Sequence, residues 1–90
     1  MDAVARDYIS QAGYGDAFGH SLGHSIGLEI HEAPNASPSY DEALQVGQLI
    51  TNEPGIYLEG IGGVRIEDDL VITEEGNRIL TPASRELIIL

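Results

Sequence analysis

Cysteine is absent from the 90 residues, which excludes disulfides and thiolate metal sites. Basic residues are scarce too: four stand against 15 acidic ones, for a formal net charge of −11. A chain so charged repels phosphate backbones and anionic lipid surfaces, so neither nucleic acid nor a membrane is expected as a partner. No apolar run is long enough to span a bilayer. The start, Met1-Asp2-Ala3-Val4, lacks the basic segment and apolar stretch of a secretory leader. With those signals missing, the expected location is the cytoplasm.

Apolar residues make up 42% of the chain, within the ordinary globular range, and the length suits one small domain. The surplus of carboxylates is either a solvated surface or, in part, the surroundings of bound cations.

The pattern predicts a helix over residues 2–12, with Asp2 as cap. Val4, Tyr8 and Ala12 fall on one face, Ala5 and Ile9 lie beside them, and Gly13 is the stop. Glycine recurs at 13, 15, 19, 23 and 27, which favours extended segments and tight turns over helix. A short strand is expected at Leu28 to Glu32 and a loop at Ala33 to Asp41. Leu49 to Tyr57 reads as a strand interrupted near Pro54-Gly55, and Leu58 to Gly63 as a turn. Val64 to Thr73 alternates as one strand, with Val64, Ile66, Leu70 and Ile72 on one face and Asp68 interrupting it. A turn at Glu75-Gly76-Asn77 precedes extended pieces at Arg78 to Thr81 and Glu86 to Leu90. The expected class is α+β, with a mainly antiparallel sheet and an N-terminal helix.

All three histidines, His20, His24 and His31, fall within twelve residues. One histidine would more often be a hydrogen-bonded core residue; three so close, flanked by glycines, favour a site. Pairing the two strands across a turn at Gly60 sets Tyr57 opposite Gly63, Gly55 opposite Arg65, and Glu53 opposite Glu67. Directly opposed side chains have Cβ atoms roughly 5 Å apart. Two carboxylates that close repel, or share a proton, unless a cation sits between them. Arg65 supplies one positive charge nearby; a divalent metal would supply two. The plainer reading is a surface hairpin with a Glu/Arg/Glu ladder in water. An imidazole with several carboxylates is a hard, oxygen-rich ligand set that suits manganese, or cobalt and zinc. A metal so held activates water and polarises a carbonyl, the chemistry of amide hydrolysis.

Three segments resemble a known family. Phe18-Gly19-His20-Ser21-Leu22-Gly23-His24-Ser25-Ile26-Gly27-Leu28-Glu29-Ile30-His31-Glu32-Ala33-Pro34 is similar to the histidine segment of the pita-bread metallopeptidases. Thr51-Asn52-Glu53-Pro54-Gly55-Ile56-Tyr57 resembles their first glutamate motif, and Gly62-Gly63-Val64-Arg65-Ile66-Glu67-Asp68-Asp69 their last. The forms around His31 and Glu67 resemble Xaa-Pro dipeptidases (prolidases) and Xaa-Pro aminopeptidases rather than methionine aminopeptidases. The resemblance implies that residues 1–90 are the C-terminal portion of a metallopeptidase catalytic domain. It implies hydrolysis of the bond between an N-terminal residue and proline, on a dipeptide or longer peptide. His24, Glu53 and Glu67 would be metal ligands, in a centre of two divalent ions, with manganese expected and cobalt or zinc possible. Glu53 would also handle the proton of the attacking water. His20 and His31 would contact substrate or the tetrahedral intermediate, and Arg65 and Tyr57 would orient the carboxylates. A homodimer is the expected assembly.

In the family two aspartate ligands precede the histidine segment on a strand pair. Here Asp2, Asp7 and Asp16 precede it, and none has that context, so the active site is expected to be incomplete in this chain. The competing reading is a non-catalytic pita-bread module that binds protein; presence of His24, Glu53 and Glu67 favours the hydrolase. A metal-free relative acting on a small guanidino compound would not be expected to keep all three.

Overall fold

A computed structural model describes residues 1–26, 32–36 and 43–90. Helix α1 spans Asp2–Gln11. Gly13, at φ 94°, takes the left-handed conformation that ends it. A single 3-10 turn follows at Gly15–Ala17. Among the described residues seven strands come next: β1 (Gly23–Ser25), β2 (Glu32–Ala36), β3 (Leu49–Asn52), β4 (Gly55–Leu58), β5 (Gly62–Arg65), β6 (Asp68–Thr73) and β7 (Gly76–Ile79). They form a five-stranded sheet, in the order β2-β1-β3-β6-β7, and the two-stranded hairpin β4-β5. Every pairing is antiparallel. The expected α+β class, with a leading helix and an antiparallel sheet, is the observed one.

The core gathers Ile9 from α1, Phe18 and Leu22 from the segment after it, and Ala36, Ile50 and Leu70 from the sheet. Ile50 and Leu70 face each other across β3 and β6, so the even-numbered positions of those strands point into the core. Asp68 shares that face and is buried; Thr81 and Arg85 bond its carboxylate at 3.4 and 3.3 Å. The interruption expected at Asp68 is therefore a carboxylate kept inward by partners on the following segment.

Asp2 does not cap α1: Met1 occupies that position and no side chain caps the helix. Asp2 is 2% exposed and accepts hydrogen bonds from Arg6, one turn on, at 2.8 and 3.3 Å, and from the Leu22 backbone N–H at 3.0 Å. Arg6 also donates to the carbonyls of Phe18 and His20, each at 3.0 Å, and stands 4.3 Å over the Phe18 ring. Its guanidinium is held above its ordinary pKa, chiefly by the hydrogen bond to Asp2 and against the opposing effect of burial. One ion pair thus fastens the helix to the segment that carries the histidines.

Other expectations are corrected. Val4 and Tyr8 are exposed, because the helix buries Ile9 instead. With Ile9, Leu22, Ile56, Val64 and Ile66 they line an apolar groove of about 660 Å³ between α1 and the hairpin. The single strand expected at Val64 to Thr73 breaks at Ile66–Glu67, and its halves enter different sheets. Ala33–Ala36 is strand, not loop. Among the described residues β2 lies at the sheet edge, where a proline such as Pro34 is tolerated. The last turn falls at Glu74–Glu75, and Glu86–Leu90 is not a strand. Leu28–His31 and residues 37–42 lie outside the described residues. No helix among those described is long and apolar enough to cross a membrane.

Breaking a buried ion pair costs on the order of 3 kcal/mol. Asp2→Ala is expected to lower stability by about that amount in a urea titration and to speed hydrogen exchange at the Leu22 amide. Asp7→Ala, exposed on the same helix, should do neither.

Candidate functional site

Two registers build the site. Ser25 pairs with Ile50, and the same β1–β3 alignment continues beyond the strands as the Glu53 N–H donates to the Leu22 carbonyl at 2.8 Å. His24 and Glu53 are then diagonal neighbours on one face, a separation that long side chains bridge. The His24 Nε2 lies 3.4 Å from Glu53 Oε2. Strand approach is close here: a Cβ at Gly23 would overlap the carbonyl oxygen of Thr51. The buried Thr51 hydroxyl accepts the His24 backbone N–H at 3.0 Å.

The second register joins the glutamates. Asn52 opposes Asp68 on one side of a gap, and Gly55 opposes Arg65 on the other. That leaves Glu53-Pro54 facing Ile66-Glu67, with the Ile66 N–H donating to the Pro54 carbonyl at 3.3 Å. The hairpin pairs expected from sequence, Tyr57 with Gly63 and Gly55 with Arg65, are the observed pairs. Arg65 Nη2 meets Glu67 Oε2 at 3.0 Å.

His20 and His24 are held alike. Each places Nδ1 against the carbonyl of the next residue, Ser21 at 2.7 Å and Ser25 at 2.9 Å. A carbonyl only accepts, so Nδ1 carries the hydrogen in both rings, and in the neutral state Nε2 carries the lone pair. For His24 that nitrogen faces Glu53; for His20 it faces the Tyr57 hydroxyl at 2.7 Å.

His24 and Glu53 suit a divalent cation. Two donors each roughly 2.0–2.2 Å from one ion stand about 3.0–3.5 Å apart, which spans their separation. A ligating histidine normally donates its other N–H to a carbonyl or carboxylate, as Nδ1 of His24 does to Ser25. Among the described residues no three of His, Asp and Glu gather closely enough to form a metal cluster. The structure brings His24 to Glu53 and Arg65 to Glu67; His31 lies outside the described residues.

Sequence reading missed the Asp2–Arg6 clamp and the Thr51 hydroxyl. The clamp had a visible signal, an acid and a base four residues apart on a helix. Thr51 had none, because its role arises only when β1 pairs with β3.

The chain belongs to the metallopeptidase family M24, whose model matches residues 1–74. An Xaa-Pro dipeptidase of Pyrococcus horikoshii is 52% identical over 88 residues, 98% of this chain and 25% of that protein. The solved Xaa-Pro dipeptidase from Bacillus anthracis superposes with a TM-score of 0.95 at 60% identity, over 99% of this chain and 25% of its own. An X-Pro aminopeptidase from Thermotoga maritima gives 0.94 at 52%, over 99% and 25%. The chain spans about a quarter of the length of these relatives.

Gly23→Ala should push β1 from β3, since overpacking of this kind costs roughly 1–3 kcal/mol. Amide exchange at His24 and Glu53 is expected to accelerate about tenfold. Gly19→Ala, where an added Cβ meets nothing within 4 Å, should leave both unchanged.

Proposed function

We propose that residues 1–90 are a portion of the catalytic domain of an Xaa-Pro dipeptidase or aminopeptidase, and that they supply part of its metal-binding and substrate-contacting surface. The supporting observation is the approach of His24 Nε2 to Glu53 Oε2 at 3.4 Å, with the other ring nitrogen engaged by a carbonyl. His24, Glu53 and Glu67 would hold divalent ions, manganese by preference for a set rich in carboxylate oxygen, or cobalt or zinc. Such ions, when bound, lower the pKa of a water and polarise a carbonyl.

The chain's own residues have separate tasks around that centre. Glu53 receives a proton from water on its carboxylate. Arg65, 3.0 Å from Glu67, fixes that carboxylate in direction and offsets its charge. His20 and His31 contact the peptide. The substrate is a dipeptide ending in proline or a peptide with proline second; the names of the relatives support that class.

In a protein that spans the relatives' length, Glu67→Ala is expected to abolish turnover of such a dipeptide, whereas Asp41→Ala should barely change it. Equal residual activity in the two variants would count against Glu67 as a ligand. The 90-residue chain alone, saturated with manganese or cobalt, should show little or no turnover, since Glu67 would be the one ligand it offers a second ion. Robust turnover by the isolated chain, with its mass in solution that of a monomer, would mean that other residues form the site.

A further inference from the structure

The ring of His20 is contacted on several sides. Phe18 meets it edge-on, with centroids 5.3 Å apart and planes at 88°. Phe18 in turn lies under Arg6, so the helix clamp reaches the imidazole through one aromatic ring. Nδ1 is fixed by the Ser21 carbonyl and Nε2 by the Tyr57 hydroxyl, each at 2.7 Å.

The Tyr57 ring fits because two neighbours have no side chain. Gly63 lies opposite it in the hairpin, and a Cβ there would come within 2.6 Å of Tyr57 Cδ1. Gly55 is buried two residues earlier on the same strand. A Cβ on it would stand 2.5 Å from the Tyr57 hydroxyl oxygen and 3.1 Å from His20 Nε2. At Gly55 even a methyl group would therefore displace the hydrogen bond. Neither glycine has positive φ, so room for the phenol, rather than backbone freedom, is what these positions provide.

We propose that Tyr57 is a positioning residue for His20: its hydroxyl, given space by Gly55 and Gly63, fixes the neutral ring as the Nδ1–H tautomer with Nε2 as acceptor. The phenol donates to Nε2, Ser21 accepts from Nδ1, and neither the tilt nor the tautomer of the ring is left open. The importance of that orientation rests on the reading of His20 as a substrate-contacting residue.

The test is nitrogen NMR of the histidine rings in the labelled 90-residue chain, at alkaline pH where imidazoles are neutral. The wild-type His20 should show a pyrrole-type Nδ1 and a pyridine-type Nε2 shifted by a hydrogen bond. Tyr57→Phe keeps the ring and its packing, and should erase the hydrogen-bond shift at Nε2 and allow the second tautomer to appear. Gly55→Ala should do the same; should it fail to fold, Tyr57→Phe decides. Tyr8→Phe, exposed on α1, should change nothing. A wild-type ring protonated on Nε2, or an Nε2 signal unmoved by Tyr57→Phe, would overturn the proposal. This readout is independent of turnover, so the ring can fail the test while Glu67→Ala still abolishes activity, and the reverse.

Discussion

A single guanidinium sets the geometry on which the histidine segment depends. Arg6 projects from a helix, pairs with a carboxylate that is itself buried, and uses two further donors on two carbonyls of the following segment. A carboxylate removed from water carries a heavy desolvation cost unless it is paired and hydrogen-bonded. Asp2 meets both conditions, and one of its partners is the backbone of Leu22, which enters the core. Helix, histidine segment and first strand are thereby tied at one point. Among the described residues six hydrophobic side chains are buried in the core, so a fixed polar contact matters more here than it would in a larger domain.

From that point the order passes outward in short steps. The tied segment carries His20 and leads into β1, whose register against β3 brings His24 beside Glu53. The alignment of β3 with β6, and of β4 with β5, brackets the two glutamates between ladders of the same register. The gap at Glu53-Pro54 and Ile66-Glu67 is where the chain leaves one sheet for the other. Side chains at such a transition are freed from cross-strand packing and can meet groups from a third strand, as Glu53 does.

The hairpin was legible in the sequence because it is local. Gly60 supplies a positive-φ turn, and the pairing of Gly55 with Arg65 and Tyr57 with Gly63 follows by counting outward. The approach of His24 to Glu53 was not legible from periodicity, since it depends on two strands some 27 residues apart; the family resemblance alone placed both residues in one centre. The break after Arg65 was hidden for another reason: Val64, Ile66, Leu70 and Ile72 keep one period of two on either side of Asp68, although the first pair faces the groove and the second the core. Proline misled at Pro34, because a residue that cannot donate to a ladder is still compatible with an edge.

The hydrogen bonds that Arg6 and the two imidazole Nδ1 atoms donate to this segment share one property. Arg6 grips the carbonyls of Phe18 and His20, and the two histidines donate to those of Ser21 and Ser25. Every one of these acceptors is main chain, which any amino acid supplies. The side chains at 21 and 25 are in this respect interchangeable, while the number of residues from 18 to 25 is not. Inserting or deleting a single residue there would present each donor with the wrong carbonyl and turn each ring away from its partner. At 21 and 25 a substitution leaves these acceptors in place, whereas a change of length does not, so this part of the constraint belongs to the spacing of the backbone.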